Sequence, residues 1–243
     1  MWYAKYSGGY LRTSVEAHVN ANNIAGILVA DGWDRKSIAA LLGNGAGESG
    51  LNPWRWEDNI PPDVTVPTVS EFENWSAAEA QHHGYGIFQF TPANKYINSA
   101  NATQYVSAGY SPNFADQPGT AQDGNAQTLF FVSTVASSWA TQLYAYYYDD
   151  FINIGVDITP WYYTTYPNFK IGQDNNGNDL TLAELVGVFE LDYERPGDTY
   201  AASSYASRVS NAEYWYDEIS PTPPTPGTYR KMPWIYYLKR RRR

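Results

Sequence analysis

The fold of this 243-residue chain can be worked out from one glycine-rich segment, which reads Gly43-Asn44-Gly45-Ala46-Gly47-Glu48-Ser49-Gly50. Inside a helix each glycine costs about 1 kcal/mol relative to alanine, so three of them at alternating positions need a reason. Either another backbone packs closely against this turn, or a ligand must approach it. The segment is therefore the first candidate for a functional site.

A helix is predicted to lead into this segment. Asp34 stands at an N-cap position, and Ile38 and Leu41 recur at helical spacing after it. Glu48 follows Ile38 by ten residues, close to three helical turns, so it continues the apolar stripe. Partial burial there would favour the protonated carboxyl, which suits a general acid. An isolated glutamate at a helix end is, however, more often a cap or an ion-pair partner.

Helical patterns account for most of the remaining chain. Two helix starts carry the spacing of a capping box, one at Thr13 and Glu16 and the other at Thr181 and Glu184. The predicted helices cover residues 14–31, 122–147, 181–192 and 203–219. The inner side of the last helix is predicted to carry Val209, Ala212, Trp215 and Ile219.

A small β element is predicted near residues 55–90. Residues 60–75 are rich in proline and valine, which is typical of an irregular or edge-strand segment. Residues 85–90 are predicted to form a short strand, and Thr91 and Pro92 an N-cap with proline at the first helical position. The chain is therefore assigned to the α+β class, mostly helical, with its strands on one side.

Charge and composition narrow the chemistry. Residues 1–229 hold nine basic and 25 acidic residues, a net charge of −16, whereas residues 230–243 hold seven basic residues and no acid. An acidic body repels phosphate, so only the tail could bind nucleic acid. The absence of cysteine excludes disulfides and thiol nucleophiles, and three histidines leave few metal ligands. Acid–base chemistry by carboxylates, without metal or cofactor, is what remains.

The C-terminal end differs from the rest of the chain. Residues 220–229 form a proline-rich linker, and residues 230–243 form an aromatic and basic tail. An apolar aromatic run is costly to leave in water, so the tail is predicted to dock on a partner. The predicted division is a folded domain at 1–219, a linker and a docking tail. No apolar run suits a membrane span or a signal peptide, which predicts a chain that starts in a cytosol.

Four motifs now stand in one order along the chain. They read Gly43-Asn44 through Glu48-Ser49-Gly50-Leu51-Asn52-Pro53, Gly84-Tyr85-Gly86-Ile87-Phe88-Gln89-Phe90-Thr91-Pro92, Tyr193-Glu194-Arg195-Pro196 and Glu213-Tyr214-Trp215-Tyr216. This set resembles the phage tail lysozyme family, and in particular the lysozyme domain of podovirus tail-knob proteins. The resemblance extends from about Thr13 to Ile219, and it implies a lysozyme-like fold.

The resemblance implies cleavage of the β-1,4 bond between N-acetylmuramic acid and N-acetylglucosamine in peptidoglycan. Glu48 matches the catalytic acid of the family. Tyr85 and Gln89 match positions that line the sugar-binding cleft, and Thr91 matches the turn after them. Tyr193 is a further candidate for contact with the sugar, although a structural role at the end of its helix is the simpler interpretation.

The second carboxylate of a glycosidase is not fixed by these motifs. The acids between Glu48 and the predicted strand are Glu57, Asp58, Asp63, Glu71, Glu73 and Glu79. A loop with this many acids is mostly a solvated surface. Glu57 and Asp58 are preferred because they directly follow Trp56, in the part of the loop taken to lie nearest the strand region.

Two functional hypotheses follow. The first is a virion-associated muramidase that acts on the host wall and binds a tail protein through residues 230–243. Its variants are a lytic transglycosylase and an endolysin that remains in the host cytoplasm before lysis. The second is a structural protein of the tail tip that binds the wall through an inactive lysozyme-like domain.

Overall fold

The structure is a computed structural model and describes residues 2–4, 8–53, 55, 84–90, 94–97, 123–139, 144–161, 163–194 and 198–220. Its helices are α1 (Val15–Ala30), α2 (Arg35–Ser49), α3 (Asn94–Ile97), α4 (Asp123–Ser138), α5 (Tyr144–Asn153), α6 (Tyr166–Lys170), α7 (Leu182–Phe189) and α8 (Asp198–Glu218). A 3-10 turn at Thr159–Trp161 precedes α6, and a π-helical turn at Glu190–Glu194 follows α7. Within these ranges no helix is long and apolar enough to cross a membrane.

Helix α2 lies at the centre of the fold, packed against both α8 and α7, which also contact each other. The contact with α8 is close because Gly43 has no side chain. A Cβ at this position would lie 2.7 Å from the Ala212 Cβ atom and 2.7 Å from the Arg208 carbonyl oxygen. Close packing of a second helix therefore explains the first glycine of the segment.

The apolar core gathers around this helix trio. Its largest fully buried members include Trp161, Trp215, Phe88, Phe131, Phe151, Phe169 and Phe189. Helix α1 closes one side by packing on α4 and α2. Burial of this aromatic surface is the main source of stability, at about 25 cal/mol per Å² of apolar area.

Most predicted helix starts are confirmed. The Asp34 side chain accepts a hydrogen bond from the Lys36 amide at 2.8 Å, and Thr181 and Glu184 form the predicted capping box. The start of α1 was predicted one residue early. Its N-cap is Ser14, whose hydroxyl oxygen accepts from the Ala17 amide at 3.2 Å, so the Thr13 prediction is wrong.

The helix predicted over residues 122–147 is wrong as a single element, because α4 ends at Ser138 and α5 begins at Tyr144. Hydroxyl groups near the end of α4, including those of Thr134 and Ser137, donate to carbonyls three or four residues back. Such bonds compete with the hydrogen bonds of the helix itself. Beyond the helix, the indole of Trp139 donates to the Thr164 carbonyl at 2.8 Å.

The short strand predicted at residues 85–90 is also wrong. Tyr85 and Phe90 form an isolated antiparallel bridge, and the residues between them turn the chain back. Gly86 and Gln89 have φ values of 86° and 44°, in the left-handed region that a strand does not use. No strand occurs in the described ranges. The remainder of the predicted β element, and Thr91 and Pro92, lie outside them.

Candidate active site

Glu48 lies in the last turn of α2. Its side chain is 23% exposed, as expected for a position at the edge of the apolar stripe. The next residue, Ser49, is buried, and its hydroxyl donates to the Ile87 carbonyl at 2.7 Å. Gly50 then ends the helix in a left-handed conformation. The carboxyl therefore stands on a fixed backbone, partly withdrawn from water.

The partner of Glu48 is Arg208, which extends from α8 and is only 1% exposed. Its Nη2 atom donates to Glu48 Oε1 in an ion pair. Its Nη1 atom donates to Asn44 Oδ1 at 3.0 Å, one turn earlier in α2. A Cβ on Gly47 would lie 3.7 Å from the guanidinium carbon, which is an ordinary contact. Helix packing does not explain the glycine at position 47.

A second carboxyl, Glu190, binds the other side of Arg208. It is completely buried at the start of the π-helical turn, and its Oε1 atom lies 3.0 Å from Arg208 Nε. The Ser204 hydroxyl donates to the same oxygen at 2.5 Å. Burial raises the pKa of Glu190 to about 7, and the charge of Glu48 adds to the rise, although Arg208 and Ser204 act against it.

A third carboxyl, Glu194, ends the same π-helical turn. Burial and the neighbouring charge of Glu48 raise its pKa well above the usual range, against the attraction of Arg208. Its Oε1 atom is buried and has no hydrogen-bond partner among the described residues. π-Helical turns insert an extra residue into a helix and occur frequently at functional sites. Here the turn directs two carboxyls toward one guanidinium.

The cluster of Glu48, Glu190, Glu194 and Arg208 thus brings three carboxyls to one permanent cation. If all three were ionised, the excess negative charge would be costly in such a dry setting. Burial accordingly raises the pKa of two of the three carboxyls, those of Glu190 and Glu194. Within the residues that the structure describes, no group of carboxylate and imidazole side chains is arranged to hold a metal ion.

Two of the residues predicted to bind substrate lie in the turn beside the end of α2. Tyr85 is 1% exposed, and its ring stacks on that of Tyr96. The side-chain amide of Gln89 donates to the carbonyls of Arg55 and Gly86, at 3.1 and 2.9 Å. Both residues hold the shape of the turn in this structure, and their contact with substrate stays a prediction.

The other predicted site residues are placed as follows. Tyr193 is half-buried, and its ring stacks on Phe189 with 4.9 Å between centroids. Its contact with sugar also stays a prediction. Thr91, Glu57 and Asp58 lie outside the described residues.

Sequence reasoning missed Arg208 and Glu190. The inner stripe of α8 is made of Ala201, Tyr205, Arg208, Ala212, Trp215 and Ile219, all of them buried. Val209, which was predicted to lie on that stripe, is only half-buried. An arginine at a stripe position was the available signal, because a buried cation requires carboxylate partners on a neighbouring element.

Similarity to known proteins covers most of the chain. Residues 19–219 match the phage tail lysozyme family. Morphogenesis protein 1 of Bacillus phage B103 is 32% identical over 220 residues, which make up 90% of this chain and 44% of that protein. The chain therefore spans less than half the length of this relative.

Proposed function

Because the chain belongs to the phage tail lysozyme family, we propose that it cleaves the β-1,4 bond between N-acetylmuramic acid and N-acetylglucosamine in bacterial peptidoglycan. The observation that carries the proposal is the half-buried Glu48 beside Arg208, inside the matched residues. Its remaining exposure leaves the carboxyl open to a glycan strand, and its neighbours keep a proton in the cluster.

Glu48 acts as the general acid in this proposal. Its carboxyl gives a proton to the glycosidic oxygen while positive charge develops on the sugar ring. The open surface above Gly47, where packing would admit a side chain, gives the substrate room beside the acid. Tyr85, Gln89, Thr91 and Tyr193 remain the proposed substrate contacts.

The group that stabilises the developing cation has three candidates. Glu57 and Asp58 are retained from the sequence. Glu194 joins them because the charge of Glu48 acts on its buried carboxyl and one of its oxygens has no hydrogen-bond partner among the described residues. A lytic transglycosylase needs no attacking water, because the 6-hydroxyl of the muramic acid closes on its own ring. Mass spectrometry of the products separates the reactions, since the anhydro product is lighter by one water.

The decisive test is Glu48→Gln, assayed on purified peptidoglycan. Glutamine keeps the size of the side chain but cannot donate the proton, so kcat should fall by about 10²- to 10⁴-fold. Glu213→Gln, an exposed change on α8, is the matched control and should keep the parental rate. A Glu48→Gln protein that still cleaves at the parental rate would refute the role of Glu48.

The place of action is proposed to be the virion tail, from which the enzyme would open the host wall during genome entry. The support is that the relative in phage B103 is named as a morphogenesis protein.

That name also favours a second candidate, a structural tail-tip protein with an inactive domain that binds the wall. Binding to insoluble peptidoglycan without any released product would select the second candidate, and detection of the chain in purified particles would support both virion assignments over an endolysin.

A further inference from the structure

Glu190 belongs to the cluster, but the glycosidase reaction alone does not require a carboxyl at its position. Its side chain is 0% exposed, so it cannot touch a glycan strand. Its Oε1 atom accepts from Arg208 Nε at 3.0 Å and from the Ser204 hydroxyl at 2.5 Å. Any effect of Glu190 on the chemistry must therefore pass through Arg208.

The guanidinium of Arg208 is held on three sides. Nε faces Glu190, Nη1 donates to Asn44, and Nη2 donates to Glu48. Because a guanidinium is planar and rigid, fixing Nε and Nη1 also fixes the direction in which Nη2 presents its hydrogen. The buried contacts of Arg208 therefore determine where the half-buried Glu48 carboxyl stands.

The charges around Glu190 also indicate that it acts on Glu48 through Arg208. A guanidinium facing Glu48 alone would favour the ionised carboxylate. Here Glu190 and Glu194 also act on Arg208, and their negative charges offset part of the guanidinium charge that Glu48 experiences. Tyr205 on α8 faces Glu190 as well, but burial raises the pKa of its hydroxyl, which stays neutral.

We propose that Glu190 is a positioning residue for the catalytic acid: its negative charge offsets part of the Arg208 charge that acts on Glu48, and it fixes the plane in which Glu48 is held. The inference rests on the proposed function, in which Glu48 must bring a proton to the glycosidic oxygen. A guanidinium without such an offset favours the ionised form of a carboxyl that it binds. Glu190 thus lets one arginine orient the acid while reducing the effect of its charge.

The first test is the pH profile of Glu190→Gln, whose amide oxygen can still accept from Arg208 and Ser204. Above pH 7, where Glu190 itself is ionised, this variant lacks one negative charge beside Arg208. The alkaline limb of kcat/KM should then move to lower pH by about one unit. KM should stay within about twofold, because no group that could touch substrate has changed. Glu213→Gln should leave the profile in place.

A second variant, Arg208→Lys, separates charge from shape. Lysine keeps the positive charge but lacks the planar fork that binds three partners. We expect kcat to fall by about 10- to 100-fold through misplacement of the acid. The alkaline limb should shift less than in Glu190→Gln. Equal displacement of the limb in both variants would show that the charge of Glu190 is not its cause, and would refute the charge part of the proposal.

Superimposable pH profiles of the wild type and a folded Glu190→Gln protein would overturn the proposal. If that variant does not fold, the wild type decides the matter by ¹³C NMR of its glutamate carboxyls, with Glu48 assigned from Glu48→Gln. A second titration step near neutral pH in the Glu48 signal supports the proposal, and a single step refutes it. This measurement needs no enzymatic activity, so a wild-type protein that cleaves no glycan would refute only the proposed function.

Discussion

Arg208 is 1% exposed and is surrounded by the carboxyls of Glu48, Glu190 and Glu194. A buried cation of this kind is tolerated only where several partners satisfy it. Loss of one partner leaves an uncompensated charge and costs about 3–5 kcal/mol in comparable pairs. At the scale of single residues, the same contacts therefore serve the stability of the helix pair and the orientation of the acid.

The raised pKa of Glu190 makes stability depend on pH. The group titrates near 4.5 in the unfolded chain and at about 7 in the folded protein, so the native state binds more protons between these values. Its contribution is complete below pH 4.5 and is lost as the pH rises through 7, by at most about 3 kcal/mol. Glu194 adds a change of the same sign. Thermal unfolding measured from pH 4.5 to 8 should show the decline.

Glu190→Gln supplies the control for this decline, because the amide resembles the protonated acid and does not titrate. The variant should lose stability less steeply over the same pH range than the wild type. Parallel curves for the two proteins would contradict the assignment of the titration to Glu190.

At this scale the sequence predicts part of the site. Helical spacing from Ile38 correctly gave Glu48 a half-buried position, because both residues belong to one helix. Arg208 was missed because its partners lie on other elements, and spacing within α8 does not reveal them. The neighbouring Val209 suited an apolar stripe by composition, whereas the structure buries the charged residue.

Among the elements, the contact of α2 with α8 depends on the absence of a side chain at Gly43. Gly45 faces the turn that contains Ile87, and Gly47 faces the Arg208 side chain. The presence of glycine at these three positions thus has three different structural explanations. Of the glycines that alternate in the sequence, Gly43 allows two helices to pack closely, and Gly47 leaves an open surface next to Glu48.

A pair of alanine variants tests this difference. In Gly43→Ala the new methyl would meet Ala212 and the backbone of Arg208 at 2.7 Å, so we expect a loss of about 1–3 kcal/mol in the free energy of unfolding. In Gly47→Ala the nearest atom, Arg208 Cγ, lies at 3.4 Å, so the gain in helix propensity should leave stability unchanged or up to about 1 kcal/mol higher. Chemical denaturation measures both. Equal losses in the two variants would show that the α2–α8 contact is not the cause.

Helix starts were predictable because a cap is a local feature of three or four residues. Elements that depend on distant contacts were not. The turn at residues 85–90 is held by Gln127, whose side chain accepts from the Ile87 amide at 2.9 Å and donates to the Pro53 carbonyl at 2.8 Å. Nothing in the sequence of the turn indicates this partner, so its aromatic residues were predicted to be a strand.

On the scale of the whole molecule, the lysozyme-like domain ends near Ile219, which is 2% exposed and packs in the core. The matched residues end at the same position. The proline-rich composition that follows predicts a linker, and the basic tail after it carries the opposite charge to the body. Catalysis and attachment are therefore proposed to be separable.

A chain that stops after Ser220 tests that separation. We expect its midpoint of thermal unfolding to stay within about 2 °C of the full chain, because the buried end of the domain is retained. Its kcat on purified peptidoglycan should also stay within about twofold. Incorporation into phage particles should be lost if residues 230–243 bind a tail protein. Normal incorporation of the shortened chain would refute the docking role of the tail.

The ion pair between Glu48 and Arg208 joins residues that are 160 positions apart. During synthesis the amino-terminal part of a chain emerges and begins to fold first, and contacts between distant positions form late. The acid on α2 therefore leaves the ribosome long before the helix that orients it. A nascent or prematurely terminated chain that lacks α8 holds its glutamate without a guanidinium, so the pair of Glu48 and Arg208 forms only after α8 has been synthesised.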